Sequence, residues 1–240
     1  MKVIKVEDYE AMSKKVCDIF VNRLNTIENP VFGLATGSTP KGLYKCLVEK
    51  YESGEIDFAD ATFFNLDEYI GLDPSHPSSY AYYLTEKLYK LIHLKAEQIN
   101  LPNGNAANLA EECIEYEKKI RNVGCIDLQI LGVGVNGHIG FNEPGTPFDS
   151  RTDVVNLTES TMRINSRFFK SIDEIPHRAI TMGIGTIMES KEIVMLVSGE
   201  HKADTLHRMI HGQVTEDFPA SILQKHPNVT IIADRDAFRK

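Results

Sequence analysis

An α/β fold built on an open, mainly parallel, Rossmann-like sheet with helices on both faces is predicted by three features of this 240-residue chain. Short apolar runs recur along its length, they alternate with stretches of helical spacing, and several of them end in polar, glycine-bearing turns. Runs that are apolar at every position bury both of their faces, which suits a parallel sheet covered on each side by helices. With 42% hydrophobic content the chain can fill a substantial core, and one domain spanning 1–240 is expected.

In chain order, Val3 to Val6 reads as a strand and Glu7 to Leu24 as an amphipathic helix. Val31 to Ala35 is the next strand. It runs into Thr36-Gly37-Ser38-Thr39-Pro40, a turn that leads to a helix over Leu43 to Tyr51, with Pro40 tolerated in a first turn. Ala61 to Leu66 reads as a third strand, followed by Asp67-Glu68-Tyr69 and a loop bearing Pro74 and Pro77. Helices over Tyr80 to Leu91 and Ala107 to Arg121 then lead to a strand from Ile126 to Leu131. Later strands are expected near Ala179 to Gly183, Ile193 to Ser198 and Val229 to Ala233. The polar segment 149–178 breaks the alternation, and reads either as a flap or as a solvated helix-and-hairpin excursion.

The formal net charge of −8 argues against nucleic acid or an anionic membrane as the main partner, since both need an extended basic surface. An anionic small molecule would have to be held by a local cluster of donors. The stretch MKVIKVEDYE has no apolar signal core, and no run approaches the ~18 apolar residues of a membrane span, so a cytoplasmic protein is expected. Cys17, Cys46, Cys113 and Cys125 are widely spaced without a CxxC pair, which implies reduced thiols and no structural zinc.

The most telling stretch is LGVGVNGHIGFNEPG, Leu131 to Gly145. It follows an apolar strand, and its glycines let the backbone approach a ligand closely. Asn136, His138 and Glu143 then face one pocket, where a carboxylate beside an imidazole fixes its tautomer and stabilises its charged form. In open parallel sheets ligands gather beyond the carboxyl ends of strands, and Thr36 to Thr39, Asp67-Glu68 and Asn136 to Glu143 all hold such positions. The TGST turn serves either as a helix cap or as a neutral cradle for phosphate, and it lacks the Gly-Lys-Ser/Thr of a nucleotide-binding loop. Asp67 can be a base or a helix cap. Arg167 and Lys202 are candidate phosphate cations, with solvated surface charge as the competing reading. No HExxH, EF-hand or GxSxG pattern occurs, so neither a metal site nor a covalent Ser or Cys mechanism is expected. The residues alone describe proton transfer on a small phosphorylated molecule, with Asp67 and His138 as bases.

The motifs GLATGSTP from Gly33, NLDEY from Asn65, GHIGFNEPG from Gly137, SRT from Ser150 and NSRFF from Asn165 resemble, in order and over nearly the whole chain, those of glucosamine-6-phosphate deaminases. The resemblance implies an isomerisation coupled to deamination, from glucosamine 6-phosphate and water to fructose 6-phosphate and ammonia, without a cofactor. It assigns ring opening to His138, oriented by Glu143 and Asn136, and removal of the proton on carbon 2 to Asp67. It assigns the phosphate to Gly37, Ser38, Thr39, Arg167 and Lys202. Many members of the family carry aspartate where this chain has Asn136, which makes Glu143 the more important partner of the ring. Allosteric members place basic residues where this chain has Asp153 and Val155, so no activation by N-acetylglucosamine 6-phosphate is expected, and a monomer is preferred over a homo-oligomer. The competing readings are a 6-phosphogluconolactonase, which shares the fold but hydrolyses an ester, and a sugar-phosphate sensor, which has no use for Asp67, His138 and Glu143 together.

Overall fold

The apolar runs of the sequence assemble into a seven-stranded sheet in which every neighbouring pair is parallel. The computed structural model describes residues 1–166, 169, 171 and 174–239, with the backbone alone at 160, 164 and 165. In spatial order the strands are β1 (Lys2–Val6), β10 (Val229–Asp234), β9 (Glu192–Val197), β6 (Leu128–Gly132), β2 (Val31–Leu34), β3 (Thr62–Asn65) and β5 (Ile99–Asn100). Side chains alternate across a strand, so a continuous apolar run feeds two cores. Ile130, Val194 and Ile232 pack against α1 (Tyr9–Thr26) and α2 (Lys41–Glu52), while Leu131, Met195 and Ile231 pack against α4 (Leu109–Asn122) and α7 (Ala203–His211).

Local chemistry sets the helix bounds. Asp8 caps α1 by accepting the Ala11 amide at 2.8 Å, so the helix begins later than the apolar spacing suggests. The helix read over Tyr80 to Leu91 is α3 (Tyr80–Leu84) followed by a π-helical turn, Thr85–Tyr89, in which the Lys90 amide reaches the Thr85 carbonyl at 3.0 Å. Among the described residues no helix is long and apolar enough to cross a membrane.

Two features depart from the sequence reading, and one segment that it left open takes form. Asp67–Tyr69, placed between a strand and a loop and given no element of its own by the sequence, is the short strand β4, and it pairs antiparallel with β8 (Arg178–Thr181), which pairs in turn with β7 (Asp153–Asn156). The strand foreseen at Ala179 to Gly183 therefore belongs to this second sheet. Segments of three or four residues carry no usable period, and their partners lie far away in the chain. The segment 149–178 contains β7 and α5 (Glu159–Asn165). Finally, Cys17 on α1 and Cys46 on α2 form a disulfide with Cα atoms 6.3 Å apart, while Cys113 and Cys125 are free. The side-by-side packing of α1 and α2 makes these distant cysteines neighbours, which spacing along the chain does not reveal.

The topology also contains a switch point of the kind at which such sheets open a crevice. From β2 the chain moves outward to β3 and β5, and from β6 it moves the other way to β9 and β10. The carboxyl ends of β2 and β6 thus flank a switch in direction, where such sheets open a crevice.

Candidate active site

Strand ends deliver each part of the site. β2 runs into Thr36 to Thr39, where Gly37 has a φ of +99°, open to glycine and strained for other residues. The Tyr83 hydroxyl donates to the Gly37 carbonyl at 2.6 Å, and the Tyr9 hydroxyl lies 3.2 and 3.0 Å from the carbonyls of Ser38 and Thr39. With these carbonyls turned to tyrosines, the amides of Gly37, Ser38 and Thr39 have no acceptor among the described residues. Unpaired amides leading into α2 form a cradle for an anion.

β6 runs into the loop that carries His138. The Gly134 amide donates to the His138 carbonyl at 2.9 Å and the Gly137 amide to the Gly134 carbonyl at 3.0 Å. This folds the imidazole onto Gly134, where any side chain would collide with the ring. Asp67 opens β4 opposite Thr181. Asp67, His138 and the turn from Thr36 to Thr39 line one cleft of about 1150 Å³.

The two acids of the DEY motif divide the work. Glu68 accepts the amides of Tyr69, Tyr80 and Ala81 at 2.8, 3.0 and 2.7 Å, and so caps α3. Asp67 is buried, and among the described residues no hydrogen bond or ion pair engages its carboxyl. Burial, reinforced by the charge of Glu68, holds its pKa well above the ordinary aspartate value. The capping role open to Asp67 in the sequence thus falls to its neighbour.

Glu143 stands behind the imidazole. Its Oε2 accepts the Asn136 side-chain amide at 2.7 Å and lies 3.6 Å from His138 Nδ1, an ion-pair distance longer than a hydrogen bond. Its Oε1 accepts the Thr158 hydroxyl at 3.2 Å and the Thr161 hydroxyl. Burial pushes the Glu143 carboxyl up, but His138, Thr161 and Asn136 outweigh it and hold the pKa at about 2. Nδ1 is buried beside this carboxylate, which leaves Nε2 as the nitrogen available to the cleft. Asn136 acts on the backbone and the carboxylate, since its Oδ1 accepts the His138 amide at 3.2 Å.

Gly37, Ser38, Thr39, Asp67, His138 and Lys202 therefore share the cleft, with Asn136 and Glu143 directly behind His138. Lys202 donates to the Val133 carbonyl at 2.8 Å. Arg167 lies outside the described residues. The sequence reading missed Thr161, the tyrosines that orient the turn, and Lys41 and Lys87 on the cleft wall. Among the described residues no three His, Cys, Asp or Glu side chains are grouped to hold a metal ion.

A buried carboxyl, an imidazole–carboxylate pair and an anion cradle at a sheet's switch point define an enzyme that moves protons on a small anionic substrate. Comparison with known proteins narrows this class. The family described as glucosamine-6-phosphate isomerases/6-phosphogluconolactonase matches residues 7–232. A glucosamine-6-phosphate deaminase of Thermoanaerobacter pseudethanolicus is 53% identical over 237 residues, 99% of this chain and 94% of the relative. The solved structure of a monomeric glucosamine-6-phosphate deaminase is 44% identical, with complete coverage of both chains (100% each) and a TM-score of 0.97. A 6-phosphogluconolactonase from Trypanosoma cruzi, at 21% identity, 98% and 95% coverage and a TM-score of 0.80, shares the fold. This chain belongs to the glucosamine-6-phosphate isomerase/6-phosphogluconolactonase family.

Proposed function

We infer that this chain is a glucosamine-6-phosphate deaminase, converting glucosamine 6-phosphate and water to fructose 6-phosphate and ammonia. The observation that carries the reading is the unpaired, buried Asp67 carboxyl in the same cleft as the His138–Glu143 pair and the phosphate turn. The amides of Gly37, Ser38 and Thr39, with Lys202 and Arg167, hold the phosphate. His138 takes the proton of the C1 hydroxyl and delivers one to the ring oxygen, opening the pyranose, while Glu143 stabilises the transient imidazolium. Asp67 removes the proton on C2 to give an enolamine, whose reprotonation at C1 leaves an imine at C2. Water adds to that carbon, ammonia leaves, and the ketone of fructose 6-phosphate remains. Every step is a proton transfer, the opening of the ring, the addition of water or the loss of ammonia, none of which exchanges electrons with a second molecule, so no cofactor is called for.

Ester hydrolysis of a phosphogluconolactone needs no base on a carbon-bound proton, and it leaves Asp67 without a task. The test incubates the protein with glucosamine 6-phosphate, or with 6-phosphogluconolactone, and quantifies ammonia, fructose 6-phosphate and lactone loss. Ammonia and fructose 6-phosphate in equal amounts support the deaminase. Lactone loss without ammonia overturns it.

The same reading makes residues 1–240 one catalytic domain that works as a cytoplasmic monomer in amino-sugar breakdown. Asp153 is exposed on β7, where a carboxylate repels an anionic effector. A hyperbolic substrate curve, unchanged by N-acetylglucosamine 6-phosphate, is expected; a sigmoidal curve that this compound straightens would contradict it.

A further inference from the structure

The cleft inverts the charge of the protein that surrounds it. The chain carries 34 acidic against 26 basic residues, yet the described charged residues lining the cleft, histidines aside, are Lys41, Lys45, Lys87, Lys202 and Asp67. The one acid among them is buried and biased toward its neutral form. Lys202 is tied to the Val133 carbonyl, and Lys45 lies 3.7 Å from Glu49. Lys41 and Lys87 differ: both are exposed, and among the described residues neither forms an ion pair.

The fold places these two lysines on two elements that adjoin the phosphate turn. Lys41 is the first residue of α2, directly after Thr39 and Pro40. Lys87 lies four residues beyond Tyr83, whose hydroxyl holds the Gly37 carbonyl, so the wall that orients the turn also carries the lysine. A π-helical turn widens the helix there, a distortion often found at functional sites. The acid beside Lys87, Glu86, pairs instead with Lys90 at 3.5 Å.

We propose that Lys41 and Lys87 form an outer cationic gate that draws a sugar's phosphate dianion into the cleft ahead of the amide cradle. The proposal rests on the sugar-phosphate reading of the site and adds residues that reading does not use. Charges at a cleft mouth act on the encounter and on weak binding, so they change kcat/KM and its salt dependence while kcat stays fixed.

The test compares the wild type with the double variant Lys41→Gln/Lys87→Gln, and with a control, Lys119→Gln/Lys225→Gln, that removes equal charge from exposed positions outside the cleft lining. At low ionic strength the gate variant should lose roughly tenfold in kcat/KM for glucosamine 6-phosphate, with the gap closing to about twofold or less near 0.5 M salt. The control should follow the wild type. Calorimetric titration with inorganic phosphate, which needs no turnover, should show the same weakening and the same salt dependence. A gate variant equal to the control in both measurements overturns the proposal, as does a loss that persists at high salt or falls on kcat. If the wild type binds phosphate with this dependence and yet releases no ammonia, the deaminase reading fails and the gate stands.

Discussion

Two adjacent carboxylates, Asp67 and Glu68, sit in opposite environments, one open to the cleft and the other bound to backbone amides. Glu68 spends its oxygens on backbone amides, while Asp67 keeps its own for the cleft. Under the proposed mechanism Asp67→Asn is expected to lower kcat about 10²- to 10⁴-fold with little change in KM, because the change would delete the base on C2 and leave the turn at residues 37–39 in place. Because burial raises the Asp67 pKa, the acid limb of kcat should lie above the ~3.9 of an exposed aspartate, with activity falling as pH drops through it. A pH–rate profile checks the sign, and a limb at or below that value would contradict it. Thr161 is buried and lines the cleft, and its hydroxyl helps hold Glu143 as a carboxylate. Thr161→Val should lower kcat about tenfold and leave KM nearly unchanged, with Thr161→Ser restoring most of it. His138 and Asp67 were legible in the sequence because glycine-rich and acidic clusters after apolar runs mark strand ends. Thr161 was not, since one hydroxyl in a polar segment has no spacing that marks it.

Among the elements, the parallel strands were the readable part, since each is an apolar run that fills two cores. The antiparallel trio β4, β8 and β7 was hidden, although it carries Asp67 into place. One buried carboxylate fastens it to the rest. Glu117 on α4 accepts the Thr152 amide at 3.0 Å, the Thr152 and Thr186 hydroxyls at 2.6 Å each, and Arg151 Nη2 at 2.6 Å, which joins α4, the entry to β7 and α6 (Ile184–Met188). Removing it with Glu117→Ala leaves these donors unpaired and should cost about 2–3 kcal/mol in urea unfolding. Burial pushes the Glu117 pKa up, but the threonines and Arg151 prevail and it lies below the ordinary value. Its stabilisation is therefore present in full above the unfolded value of ~4.3 and is lost as pH falls through the lower folded value. The advantage of the wild type over Glu117→Gln should shrink across that acid window and hold steady at neutral pH.

For the molecule entire, the sheet's change of direction between β2 and β6 gathers groups that the chain keeps from 29 to 164 residues apart, from Ser38 and Asp67 to His138 and Lys202. A protein of net charge −8 thereby keeps a cleft suited to a phosphate. The crevice was foreseeable from the order of apolar runs; the cationic wall was not, because α2 and the π-helical turn meet only in the folded chain. Lactonases of the same fold show that this architecture serves more than one chemistry, so the arrangement of side chains in the cleft carries the functional argument. The most direct test is a crystal structure of Asp67→Asn with glucosamine 6-phosphate bound. The expected result has phosphate on the amides of residues 37–39, residue 67 beside C2 and His138 Nε2 beside the ring oxygen. A sugar whose C2 faces away from residue 67, or a phosphate seated outside the turn, would contradict it.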